Sequence, residues 1–238
     1  MELIVKSNYA ALSDEAADYI DATVSGTASS VCCATGNTPV GTYGKLVSLK
    51  EKGRFDSSRL RIYQLDEYLG LRADDERTLW GWMDRILIKP LEIPSENVVR
   101  LPTDTRDSEA TCRDYDRAVE AMNGFDLSIL GLGPNGHLGM NDPPGAADSI
   151  TRVVTLSQES IKSNSVYWGG LERVPPQGMT AGMRQLLASR KILLLVSGKG
   201  KRDILRRVMY GPVTDEVPAS HLQLHPNVVV IADEDAAG

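Results

Sequence analysis

The hydrophobic positions of this chain fall into short apolar runs separated by longer stretches of mixed polarity. Most of these runs contain no polar alternation, which predicts strands buried on both faces. Predicted strands span residues 3–5, 30–34, 60–65, 98–101, 125–130, 152–156, 191–196 and 228–231.

The intervening stretches repeat apolar residues every three or four positions, which predicts amphipathic helices. In the first of them, Leu12, Ala16 and Ile20 share one face. Predicted helices span residues 8–24, 40–52, 79–88, 108–122, 158–167 and 201–209. Strands that alternate with helices indicate a largely parallel sheet covered on both faces. We therefore predict an α/β fold, with one doubly wound, modified Rossmann-like domain over residues 1–238.

Composition narrows the function classes. A net charge of −6 argues against a broad nucleic-acid or membrane surface. Cys32, Cys33 and Cys112 form neither a CxxC pair nor a Cys/His cluster, so we expect reduced thiols in a cytoplasmic protein, without zinc. The chain begins with a short apolar run and no basic flank, which predicts a strand rather than a signal peptide. No apolar run reaches membrane-spanning length.

A glycine-rich loop follows the predicted strand at 125–130. It reads Gly131-Leu-Gly-Pro-Asn-Gly-His-Leu-Gly-Met-Asn-Asp-Pro-Pro-Gly145 and contains the spacing G-x-G-x-x-G. A dinucleotide-binding fingerprint requires a helix directly after its third glycine. Pro143 and Pro144 would end such a helix after about one turn. The loop is therefore better interpreted as one that positions His137 and Asp142 at the carboxyl edge of a sheet.

Three further loops follow predicted strands and carry polar groups. Thr35-Gly-Asn-Thr-Pro39 suits an anion at a helix N-terminus, although the same residues would serve as an ordinary helix cap. Asp66 and Glu67 offer a carboxylate base at a partly dry strand end, or a solvated acidic loop. Ser197-Gly-Lys-Gly-Lys201 offers a lysine for a monophosphate, or a solvated basic turn. Together the four loops indicate acid–base chemistry on a small phosphorylated metabolite.

At these residues the chain resembles the glucosamine-6-phosphate deaminase/isomerase family, which is related to the 6-phosphogluconolactonases. The resemblance covers nearly the whole chain. Lactonases tend to carry Asp-Glu-Arg and Asp-Gly-His-Thr at two of these loops, and this chain carries neither. The segments that bear the resemblance are Thr35–Pro39, Leu65–Leu71, Phe125–Asn141, Leu186-Leu187, Gly198–Lys201, Gly211–Val213 and Leu222–Pro226.

The resemblance implies aldose–ketose isomerisation through an enediol or enolamine, followed by loss of ammonia, without metal or cofactor. Asp66 would move a proton between C2 and C1, and His137 would assist ring opening. Asp142 and Asn135 would complete the acid–base group around the histidine. The implied substrate-binding and phosphate-binding residues are Thr35, Gly36, Asn37, Thr38, Lys201 and Glu67.

Three positions depart from the family pattern. Asn135 replaces an aspartate, Asp142 replaces a glutamate, and Val166 stands where the deaminases carry a phosphate-binding arginine. Lys162 or Arg184 could take the place of that arginine, or the substrate could be held differently or carry no phosphate there. A lactonase and a sugar-phosphate-binding homologue without turnover therefore remain alternatives.

The regulatory and quaternary expectations also follow from the resemblance. The chain ends at Gly238, without the tail that helps to build the allosteric site of regulated deaminases. We therefore expect no activation by N-acetylglucosamine 6-phosphate. Family members include monomers and hexamers, so a homo-oligomer is among the expected states.

Overall fold

The computed structural model describes residues 1–238. The chain forms ten strands. They are β1 (Glu2–Lys6), β2 (Ser29–Cys33), β3 (Leu60–Gln64), β4 (Asp66–Tyr68), β5 (Val98–Val99), β6 (Leu127–Gly131), β7 (Arg152–Thr155), β8 (Gln177–Thr180), β9 (Ile192–Val196) and β10 (Val228–Asp233).

Eight α-helices connect and flank these strands. They are α1 (Tyr9–Val24), α2 (Asn37–Glu51), α3 (Leu79–Met83), α4 (Ser108–Glu120), α5 (Gln158–Trp168), α6 (Met183–Leu187), α7 (Arg202–Tyr210) and α8 (Glu234–Ala237). A π-helical turn, Asp84–Ile88, continues α3, and short 3-10 helices occupy Ser95–Asn97, Leu171–Arg173, Lys199–Lys201 and Pro218–Leu224. No helix combines the length and the apolar character that crossing a membrane requires.

The central sheet has seven strands in the order β1-β10-β9-β6-β2-β3-β5, and all its pairings are parallel. Helices cover both faces. On one face α1, α2 and α3 contribute to a core of 22 buried residues. On the other face α4, α6, α7 and α8 contribute to a core of 29. The predicted doubly wound α/β fold is therefore confirmed.

The central strands follow the period of two that a covered sheet requires. In β2, Cys32 packs in one core and Cys33 in the other, as expected for adjacent side chains. In β9, Leu193 and Leu194 are likewise divided between the two cores, and both are fully buried. These runs are apolar because neither face of the strand meets water.

A second sheet corrects two expectations. Residues 66–68, predicted as a loop, form β4, which follows β3 almost directly and pairs antiparallel with β8. The predicted strand at 152–156 exists as β7, but it pairs antiparallel with β8 and lies outside the central sheet. The pattern missed β8 because Gln177-Gly-Met-Thr180 contains no apolar run.

The strand order places the predicted loops side by side. The chain moves from β2 through β3 to β5 on one side of β2, while β6 and β9 lie on the other side. The reversal between β2 and β6 is a topological switch point, where open α/β sheets bind ligands at the carboxyl ends of their strands. The segments that follow β3, β2, β6 and β9 therefore meet at one edge.

Candidate active site

A cavity of about 440 Å³ opens at this edge of the sheet. A cavity of this size suits a small metabolite. Four of its walls come from the segments after β2, β3, β6 and β9, and two more come from residues 76–82 and from α5. Among the predicted site residues, the lining includes Thr35, Gly36, Asn37, Thr38, Asp66, His137 and Lys201.

Asp66 begins β4 and presents a carboxyl group to the cavity. The residue is 7% exposed, and its Oδ1 atom has no hydrogen-bond partner. Burial, with a smaller contribution from the charge of Glu67, raises the pKa of Asp66 from 3.8 to about 7. A carboxylate with a pKa near neutrality is suited to accept and return a proton.

Glu67, expected among the substrate-binding residues, lies outside the cavity lining. Its side chain is fully buried and accepts hydrogen bonds from the backbone N–H groups of Leu79 and Trp80 at 2.9 and 2.8 Å. Gln64 Nε2 donates a further bond of 2.9 Å. Burial raises the pKa of Glu67, against the opposing effect of these hydrogen bonds. Adjacent residues of a strand point in opposite directions, so the Glu67 side chain turns away from Asp66. Its carboxyl group instead accepts hydrogen bonds at the start of α3.

His137 lies in the loop after β6 and is oriented through its Nδ1 atom. This atom is 2.7 Å from Asn135 Oδ1 and 3.0 Å from Asp142 Oδ1. Two oxygen acceptors require a proton on Nδ1, so the neutral ring carries its lone pair on Nε2. Gly133 packs directly against the ring, since a Cβ atom there would lie 2.3 Å from Nε2. The loop thus holds an imidazole with a free proton acceptor at the cavity wall.

Asp142 orients His137 from behind and does not line the cavity. Although burial favours the neutral acid, hydrogen bonds from His137 and Ser160 and the charge of the imidazole hold the pKa of Asp142 well below its usual range. Ser160 Oγ donates at 2.7 Å and the backbone N–H of Ser157 at 3.1 Å. Asn135 Nδ2 donates at 3.1 Å. An ionised Asp142 therefore places a negative charge beside the His137 ring and fixes its orientation through Nδ1.

The turn after β2 leads into α2, whose first residues are Asn37 and Thr38. No side chain caps this helix end, so its N–H groups and the positive end of the helix dipole are free to meet an anion. Lys201 lines the same cavity and donates to the Leu132 carbonyl oxygen at 2.6 Å. Burial lowers the pKa of Lys201. The turn and the lysine are the two parts of the predicted phosphate site.

Comparison with known proteins identifies the family. Residues 6–231 match the family described as glucosamine-6-phosphate isomerases/6-phosphogluconolactonase. The chain belongs to this family. A glucosamine-6-phosphate deaminase of Lachnoclostridium phytofermentans is 39% identical over 97% of this chain and 98% of its own length. A second, from Thermoanaerobacter pseudethanolicus, is 36% identical over 100% of this chain and 94% of its own length.

Solved structures of the family have the same architecture. A monomeric glucosamine-6-phosphate deaminase, 33% identical, superposes with a TM-score of 0.96 and covers 100% of this chain and 99% of its own. A 6-phosphogluconolactonase from Thermotoga maritima, 23% identical, gives a TM-score of 0.77, with 98% of this chain and 99% of its own covered. At that identity the lactonase shows the shared fold alone.

Val166, which stands where the resemblance to the family places a phosphate-binding arginine, contributes nothing to the cavity. Val166 is 75% exposed and does not line the cavity. Neither proposed replacement lines the cavity: Lys162 is exposed, and Arg184 pairs with Glu120 at 2.7 Å. Two alternatives from the sequence therefore remain: the substrate is held differently, or it carries no phosphate at this position.

Several lining residues were not found from the sequence. Ser163, Asn164 and Tyr167 line the cavity from α5, and Arg77 lines it from the segment before α3. Residues 163, 164 and 167 follow helical spacing and share a face, which was a usable signal. Arg77 had none, because it lies in a charged stretch outside every predicted element.

Proposed function

We propose that this protein is a glucosamine-6-phosphate deaminase, which converts the amino-sugar phosphate to a ketose 6-phosphate and ammonia. The observation that carries the proposal is the unpartnered Asp66 carboxyl in the cavity, with a pKa of about 7. The full-length similarity to glucosamine-6-phosphate deaminases supports the same reaction class. Galactosamine 6-phosphate is the epimeric alternative substrate.

The first step is ring opening by His137. The Nε2 lone pair accepts the proton of the anomeric hydroxyl group, and the imidazolium returns a proton to the ring oxygen as the C1–O5 bond breaks. The product is the open-chain aldehyde. Asn135 and Asp142 act in this step by holding the ring through Nδ1 and by stabilising its charge. They are positioning residues.

The second step is proton transfer by Asp66. The carboxylate removes the proton on C2 as O1 gains a proton from the substrate ammonium group, which gives a neutral enolamine. The carboxylic acid then returns its proton to C1, which leaves a protonated imine at C2. Water adds to this imine, and ammonia leaves as the C2 carbonyl group forms. The C1 carbonyl group accepts the electron pair when C2 loses its proton, and the nitrogen lone pair forms the imine when C1 gains a proton, so the proposal includes no metal.

The substrate phosphate is placed at the start of α2 and at Lys201. Free N–H groups at a helix N-terminus and an ammonium group are complementary to a phosphate dianion. Thr35 and Thr38 add hydroxyl groups at the same wall. Binding the phosphate there would fix the sugar relative to Asp66 and His137, which is how remote binding contributes to rate.

The experiment that tests the proposal measures ammonia and ketose phosphate released from glucosamine 6-phosphate and galactosamine 6-phosphate. We expect release of both products in equal amounts, and loss of both in Asp66→Asn with substrate binding retained. Proton release from 6-phosphogluconolactone without ammonia would identify a lactonase instead. Binding of the sugar phosphate without any turnover would identify a binding homologue.

The proposal extends to location and assembly. Cys32, Cys33 and Cys112 are free and buried, which supports a reducing compartment such as the cytoplasm. The proposed partner is a small-molecule sugar phosphate rather than a nucleic acid or a membrane. Sedimentation of the purified protein distinguishes a monomer from a homo-oligomer.

A further inference from the structure

One lysine side chain and one arginine side chain line the cavity. They are Lys201, which belongs to the proposed phosphate site, and Arg77, which has no part in the steps described above. The residues that α5 presents to the cavity include Ser163, Asn164 and Tyr167, none of which is cationic. Without Arg77, the cavity would have a single permanent cation to offer a dianionic substrate.

Arg77 is held in place by its neighbours. Asp75 accepts two parallel hydrogen bonds, from Nε at 2.9 Å and from Nη2 at 2.7 Å. The guanidinium carbon lies 4.9 Å from the ring centroid of Trp168, a buried residue that packs edge-on against Tyr68. The ion pair raises the pKa of Arg77 and lowers the pKa of Asp75 to about 2. The cation is therefore fixed on one edge by a carboxylate and on one face by an aromatic ring.

This arrangement leaves a defined part of the guanidinium free. The Nη1 group makes no hydrogen bond to the protein, whereas Nε and Nη2 are occupied by Asp75. An oriented guanidinium with free N–H donors loses little conformational freedom when it binds an oxyanion. Its exposed fraction, 52%, shows that the group is accessible to a ligand.

We propose that Arg77 is a substrate-binding residue that contacts the phosphate group of the sugar phosphate. This inference rests on the proposed function for the identity of the ligand. Asp75 and Trp168 position the guanidinium and do not touch the substrate. Arg77 therefore supplies the positive charge that α5 does not bring to the cavity.

The test measures binding rather than turnover. Calorimetry determines the dissociation constants of fructose 6-phosphate and of inorganic phosphate for the wild type, Arg77→Ala, Arg77→Lys and the control Arg72→Ala. Arg72 forms the same two-bond pair with Asp74 but does not line the cavity. We expect Arg77→Ala to weaken both ligands about tenfold, a typical scale for a half-exposed charged hydrogen bond. Arg77→Lys should weaken them less, and Arg72→Ala should leave both constants unchanged.

Two outcomes overturn the inference. Unchanged binding of both ligands in Arg77→Ala would show that the guanidinium does not contact the substrate. Weaker binding of fructose 6-phosphate with unchanged binding of inorganic phosphate would assign Arg77 to the sugar hydroxyls. Should Arg77→Ala fail to fold, Arg77→Gln keeps the side-chain length without the charge and carries the same expectation.

Kinetics separate this inference from the proposed function. If ammonia is released, Arg77→Ala should raise KM about tenfold and leave kcat within about twofold, because the start of α2 and Lys201 still position the sugar and the lost contact is equal in the ground and transition states. A matching fall in kcat would contradict a binding role. If the wild type binds fructose 6-phosphate but releases no ammonia, the proposed function fails while the calorimetric comparison still decides the role of Arg77.

Discussion

The buried carboxyl of Asp66 should reduce the stability of the fold in the pH range in which it can accept a proton. The carboxylate faces the cavity, and one of its oxygen atoms has no partner. Replacing Asp66 with asparagine keeps the shape and removes the charge. We therefore expect Asp66→Asn to be inactive and also more stable than the wild type above pH 7.

The size of this effect follows from the pKa, which folding raises from 3.8 to about 7. Because the folded state holds the proton more tightly, the free energy of unfolding falls as pH rises between these two values and is level above them. Each pH unit between these values lowers the free energy of unfolding by about 1.36 kcal/mol. The raised pKa of Asp66 therefore destabilises the wild type by about 4 kcal/mol at pH 8 and by about 2 kcal/mol at pH 5. The stabilisation by Asp66→Asn should therefore be roughly 2–3 kcal/mol larger at pH 8 than at pH 5.

Urea unfolding of the two proteins at pH 5 and pH 8 measures this difference. All other titrating groups are common to both proteins, so their contributions cancel. Asp148→Asn, at an exposed loop position, is the control for the change from a carboxylate to an amide. The same change in unfolding free energy at both pH values would refute the assignment of a raised pKa to Asp66.

Three further predictions concern catalysis. The value of kcat/KM for ammonia release should rise as pH increases through about 7, because only ionised Asp66 accepts the C2 proton; a flat profile from pH 5.5 to 8 would contradict this role. Asp142→Asn should lower kcat by at least about tenfold, because the imidazolium loses its anionic partner, and an unchanged steady-state rate would show that ring opening does not depend on that charge. Gly133→Ala should lower kcat by about a hundredfold, since its Cβ atom would lie 2.3 Å from the His137 ring and small displacements of a catalytic group are costly. Gly44→Ala, whose Cβ atom meets nothing within 4 Å and which does not line the cavity, is the control, and equal rates in the two alanine variants would exclude a steric effect on the histidine.

The parallel sheet could be predicted from the sequence because its strands are buried on both faces. Runs such as Ile192–Val196 have no polar residue to interrupt the pattern. The small sheet could not be predicted in the same way. Its first strand, Asp66–Tyr68, begins with two acidic residues, and it exists because of a distant partner, β8. Tertiary pairing overrides local preference at such a strand.

The acid–base groups of the candidate site were visible in the sequence because they directly follow apolar strands. Asp66 and His137 both occupy such positions, and both line the cavity. Glu67 was expected at the substrate because it adjoins Asp66 in sequence, but its side chain points the opposite way, towards the N-terminus of α3. Arg77 was missed because its place at the cavity depends on Asp75 and on Trp168, which is distant in sequence.

The strand order has an evolutionary consequence. Asp66 and His137 follow different strands, β3 and β6, with β2 between them, so each loop can change its residues without altering the strand that supports the other. In a scaffold of this kind, the loops that carry the functional residues can change independently while the sheet stays the same. The sharing of one architecture by a glucosamine-6-phosphate deaminase and a 6-phosphogluconolactonase is what such interchangeability would produce.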